Sequence, residues 1–223
     1  MAQTQYLKHE GKIVEHLPKH AALAAQMMAS SARIDSDIGR MLISLLKTAA
    51  PAAMAMYESV RNSNAKIEMV QAAADTVLGD KELSQLLADV LRVAEKALVP
   101  RNELAHWEWW ATTDNTDELL LIEPRFWARQ SLNTLLGPSG ATLLKKPELK
   151  HHFKRKPLAV LEDEASRLLE AGSLVTAYRD FLHYRGTAKG EEIRRRLEQQ
   201  ADIRQIREQR DLNRLGKKKK HPQ

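Results

Sequence analysis

The sequence predicts a mainly α-helical bundle with a small β-hairpin and a basic helical C-terminal extension. Three observations lead there. Apolar residues in the first hundred positions recur at steps of three, four and seven, the period of one helix face. Pro, Gly, Asn and Asp punctuate that pattern where helices start and stop. The polar cluster "DNTD" (114–117), flanked by "WEWWATT" and "ELLLIE", reads as a turn between two short strands.

The elements follow in order. Leu23, Met27, Ile34, Ile38, Met41, Leu42 and Leu45 form one stripe, so residues 19–50 predict a long helix with Pro18 near its start and Pro51 beyond its end. Residues 51–79 predict one or two more helices, broken near Asn62–Asn64 and stopped at Gly79. Asp80 is the expected N-cap of the next helix, striped by Leu83, Leu86, Leu87, Val90, Leu91 and Ala94. Pro100 is expected in the first turn of a new short helix, where a missing N–H costs nothing. In an extended 107–110 segment, Trp107 and Trp109 share one face and Glu108 and Trp110 the other. Past Pro124 the pattern is mixed, with "GPSG" (137–140) as a loop. Residues 158–184 predict a helix nicked near Gly172. Beyond Tyr184 there is no Phe, Trp or Tyr, and the charged remainder is expected as a partly disordered tail, its last dozen residues unstructured. The expected organisation is a helical bundle with hairpin over 1–123, a helical part over 124–186, and the tail over 187–223.

Composition narrows the function. The 223 residues include no Cys, which excludes disulfides, Cys-ligated zinc and thiol catalysis. No apolar run approaches the length of a membrane span, and the first 20 residues lack the apolar core of a signal peptide, so a cytoplasmic protein without membrane contact is expected. Residues 1–123 carry 12 Lys+Arg against 17 Asp+Glu, whereas residues 124–223 carry 23 against 12. A basic half points to a polyanionic partner, nucleic acid being the commonest, or to a solvated tail.

Reactive side chains concentrate in "VPRNELAHWEWW" (99–110), which holds Arg101, Asn102, His106 and three of the four Trp residues. An imidazole titrates near neutrality, so it can take a proton from a ribose 2′-hydroxyl or give one to a leaving 5′-oxygen. A guanidinium offers a charged fork of donors to phosphate oxygens and can stabilise a five-coordinate phosphorus. RNA supplies its own nucleophile, so no cofactor or metal is required, and the expected ends are a 2′,3′-cyclic phosphate and a 5′-hydroxyl. Arg101 and His106, five apart, lie about 140° apart around an ideal helix, whereas Asn102 and His106 share a face. Either Arg101 reaches round, or a second copy of the motif faces the first in a dimer.

"RNELAH", following a helical segment, resembles the RN-x-x-AH signature of the HEPN (higher eukaryote and prokaryote nucleotide-binding) superfamily. The resemblance extends over about residues 20–123 and is sharp at Arg101, Asn102, Ala105 and His106. It implies a helical bundle, a homodimer with the two motifs facing in a composite site, and metal-independent endoribonuclease activity. It also implies a place in toxin–antitoxin or antiviral-defence systems, with an antitoxin as a further partner. By position, Arg101 and His106 would be catalytic and Asn102 their polar support.

A plainer reading stands beside it. Asn102 can cap a turn, Arg101 can pair with Glu95 or Glu103, and His106 can pack as a buried ring on the Trp residues, leaving a non-catalytic helical interaction module. Lys150, Lys154, Arg155 and Lys156, around "HHFKRK", are candidates to grip RNA or members of an exposed loop. "KKKK" (217–220) adds sequence-blind affinity for nucleic acid or only solubility. His16 and His20 have a metal-ligand spacing, but Pro18 between them breaks the helix. No Gly-rich phosphate loop, Ser-His-Asp set or internal repeat is present.

Overall fold

The computed structural model describes residues 6–8, 13–112, 115–129 and 152–220, with side chains over 13–111, 117–126 and 152–213. The fold is mainly α. Strand β1 (Tyr6–Lys8) is followed by helices α1 (Ile13–His16), α2 (Pro18–Leu46), α3 (Ala50–Ser59), α4 (Ser63–Val77) and α5 (Lys81–His106). Strands β2 (Glu108–Thr112) and β3 (Asn115–Ile122), helix α6 (Pro124–Arg129) and strand β4 (Phe153–Pro157) come next. Helices α7 (Leu158–His183), α8 (Ala188–Glu198) and α9 (Ala201–Lys220) complete the chain.

Local chemistry sets these boundaries. Pro18 opens α2, where its lost N–H has no partner to miss. Asn62 caps α4, its Oδ1 accepting from the Asn64 and Ala65 N–H groups at 2.8 and 3.3 Å. Gly79, at φ 67°, turns the chain out of α4, and Asp80 Oδ1 accepts from the Glu82 N–H at 2.8 Å to start α5.

Two expected breaks do not occur. Pro100 starts no new helix but lies inside α5, which runs on to His106. A proline there removes one helical hydrogen bond and costs about 3 kcal/mol. Leu104, buried beyond it, with Val90, Leu91 and Ala94 buried before it, offsets that cost. Gly172 does not nick α7, because Ala171, Leu174 and Val175 around it are all buried. The tail is also more ordered than its composition predicts. It forms α8 and α9, and Leu197, Ile203 and Ile206 bury its few apolar side chains.

The expected hairpin is the centre of a four-stranded antiparallel sheet of order β1-β2-β3-β4. Trp109 lies opposite Leu121 and Leu121 opposite Lys154; Leu119 lies opposite Lys156. Side chains alternate across a strand, so Trp109, Leu119, Leu121, Lys154 and Lys156 share one face. Trp110, Leu120 and Ile122 point to the other, forming a core with Phe126 and Phe153. Trp109 and Trp110 thus take opposite faces, as predicted.

The chain divides into two compact units, Met1–Ser30 with Ala97–Leu169 and Ser31–Lys96 with Glu170–Gln223. Both cut across the segments 1–123, 124–186 and 187–223 that composition marks out, because the dividing points fall within long helices. The second unit buries Ile34, Met41, Leu42, Tyr57, Val70, Leu86, Leu87 and Tyr178. The first contains the sheet and the end of α5.

Candidate active site at the end of α5

The last turn of α5 carries the motif. Its carbonyls have no further helical N–H to accept from, and the chain satisfies two of them directly. The Trp107 N–H donates to Glu103 O at 2.8 Å, and the Trp109 indole Nε1–H donates to Leu104 O at 2.8 Å. One indole thus ties the helix end to the first strand after it.

Glu103, a position the motif leaves open, is the anchor. It is buried, and its carboxylate meets Lys154 and, at 3.4 Å, Lys156. Lys156 is buried as well and also bonds Glu164 of α7. Two carboxylates and two ammonium groups alternate, so the buried charge cancels. The Lys156 carbonyl accepts from Nε2 of buried His20 at 3.2 Å, which ties α2 to the same strand.

The predicted site residues divide accordingly. Arg101 is half-buried, and Asn102 and His106 are exposed. The Arg101 guanidinium donates from Nη1 to Asn102 Oδ1 at 3.1 Å. It pairs with neither Glu95 nor Glu103, and the carboxylate of Glu103 is already taken by two lysines. Arg101 Nε is buried and has no acceptor. His106 is not packed among the indoles. Arg101 and Asn102 are brought together; His106 follows Asn102 by one turn on the same helix face.

The basic stretch behaves differently from its reading as a loop. Phe153–Pro157 is strand β4, and two of its cations turn inward. Lys154 stands 5.4 Å over the Trp107 ring while bonding Glu103, and Lys156 is committed to Glu103 and Glu164. Arg155, on the opposite face, stays exposed and lies 3.4 Å from Glu118. Lys150 lies outside the described residues. Alternation of Lys154 and Lys156 at a spacing of two was the available signal for a strand.

Two further groups were missed. Glu123, just past β3, and His152, just before β4, bond through Oε2 and Nδ1 at 2.6 Å, and the imidazole stacks on Phe126 at 4.7 Å between centroids. Among the described residues no group of three His, Asp or Glu side chains could hold a metal ion, and His16 and His20 are separated, one exposed and one buried. No described helix is long and apolar enough to cross a membrane. Comparison of the chain with protein-family models, curated proteins and solved structures finds no match.

Proposed function

We propose that this chain is a metal-independent endoribonuclease of the HEPN type. His106 serves as general acid/base, Arg101 stabilises the phosphate and Asn102 orients it. The observation that carries the reading is the state of Arg101. Its guanidinium lies against Asn102 and has no carboxylate partner among the described residues, and its own motif neighbour Glu103 is neutralised elsewhere. A cation left unneutralised one helix turn from an exposed imidazole is suited to a phosphodiester. The exposure of His106 supports the same reading, since a proton-transferring ring must reach its substrate.

The substrate class is RNA, and the products carry 2′,3′-cyclic phosphate and 5′-hydroxyl ends. A homodimer juxtaposes two motifs, so that one copy's Arg101 can complement the other's His106. The resemblance at "RNELAH" places the activity in a toxin–antitoxin or defence setting, with an antitoxin as a regulatory partner and the cytoplasm as its site of action.

The test compares the parent with His106→Ala and Arg101→Ala on single-stranded RNA in EDTA. The parent cleaves, and both variants fold and leave RNA intact. Equal cleavage by all three would trace the activity to a contaminant and favour a non-catalytic interaction module.

A further inference from the structure

We infer that His152, held by Glu123, is a second proton-transferring group of the same site, supplied by the same chain as His106. The inference rests on the ribonuclease reading and adds a residue to it. Cleavage by attack of a 2′-oxygen needs two proton transfers. One imidazole takes the proton from the 2′-hydroxyl as the O2′–P bond forms. Another group gives a proton to O5′ as the P–O5′ bond breaks.

The packing of α5 on β4 brings the two rings to one end of the sheet. Glu103 meets both Lys154 and Lys156, two residues apart on β4. His106 lies one turn further along α5 on the neighbouring position of that face. Trp107 follows it, under the Lys154 ammonium. Going from Glu103 to Trp107 therefore runs towards the start of β4, where His152 sits. The strand register agrees. Glu108 pairs with Ile122, and Ile122 with Phe153. Residues just before β2, just after β3 and just before β4 thus meet at one sheet end: His106, Glu123 and His152. Adjacent strands are about 4.8 Å apart, so the backbones of β2 and β4 stand about 10 Å apart there, a span that two imidazole side chains and a phosphate fill.

His152 is also built as a proton-transferring ring is. Glu123 fixes its Nδ1, the Phe126 ring fixes its plane, and the Glu123 N–H donates to His152 O at 3.0 Å. With Nδ1 committed to a carboxylate, proton exchange with substrate falls to Nε2. The charged groups around this end are Glu123, Glu103 and Lys154.

The experiment is the pH dependence of RNA cleavage by the parent, His152→Ala and Glu123→Gln, each checked for native circular dichroism. The parent profile has two limbs. His152→Ala lowers the rate about 100-fold or more, the usual contribution of such a group, and removes one limb. Added imidazole restores part of the rate, and Glu123→Gln displaces the same limb. A parent-like rate and profile for His152→Ala would overturn the inference while leaving the ribonuclease reading intact. A parent that cleaves no RNA would overturn both. Should His152→Ala fail to fold, His152→Gln, which keeps a planar group on Phe126 but exchanges no proton, gives the same two outcomes.

Discussion

Glu103 and Trp109 determine where the motif points, although neither resembles a catalytic residue. A carboxylate held by two ammonium groups away from water is costly to unpair, because its removal strands a buried cation. Lys156 would keep Glu164, but Lys154 would lose its only printed carboxylate partner. Glu103→Gln is therefore expected to cost about 3 kcal/mol, read as a lower urea midpoint with an unchanged slope. An unaltered midpoint would mean that the cluster is stabilised no better than a surface pair. Trp109→Phe keeps the ring but removes the donor to Leu104 O, and the expected loss is about 1 kcal/mol. His106 and Arg101 make no such structural bonds across the fold, so alanine at either position leaves the urea midpoint within about 0.5 kcal/mol of the parent. Site and scaffold can thus be separated by measurement at adjacent positions of one helix.

At the scale of elements, α9 shows how a charged segment becomes ordered. Asp89, buried on α5, accepts from Arg207 Nε at 3.1 Å and from Arg210 Nη1 at 2.7 Å. Asp89→Ala leaves two guanidinium groups without their buried anion. It is expected to release α9, seen as faster amide exchange across 201–213, whereas Glu208→Ala on the exposed side of that helix changes nothing. A variant with α9 still protected would show that Ile203 and Ile206 alone hold it. Gly172 offers a prediction of opposite sign. A Cβ there would lie 3.5 Å from Ile34 Cγ1, ordinary contact, so Gly172→Ala stiffens α7 and raises stability by about 0.5–1 kcal/mol. The helices were legible in the sequence because each has a repeating apolar stripe and a polar residue or glycine at its ends. The caps at Asn62 and Asp80 lie where short-range chemistry places them. What was not legible depended on partners distant in the chain. Lys156 reads as an RNA-binding cation until Glu103 and Glu164 are beside it, and Glu123 and His152 are 29 positions apart. Pro100 reads as a boundary because its local cost is plain, while the burial of Leu104 that outweighs it is not.

At the scale of the whole molecule, stability and activity respond to different conditions. Burial, and then the hydrogen bond to and charge of Asp35, raise the Tyr57 hydroxyl well above the ordinary phenol value. Burial raises Tyr178 likewise, against the lowering pull of Arg185. Both groups hold their protons more tightly folded than unfolded. Their contribution is therefore complete below about pH 10, the unfolded value, and is lost as pH rises above it. The urea midpoint should fall between pH 9 and pH 11.5, less steeply in Tyr57→Phe; equal slopes would remove Tyr57 from the account. Activity instead depends on assembly. Mixing inactive Arg101→Ala with inactive His106→Ala should restore part of the cleavage if two copies share a site. The most direct measurement uses a DNA oligonucleotide with a single ribose, incubated with the parent and with His106→Ala in EDTA. The account predicts one cut, 3′ to that ribose, leaving a cyclic phosphate, and none with the variant. Cutting of the all-deoxy strand, or equal cutting by His106→Ala, would contradict it.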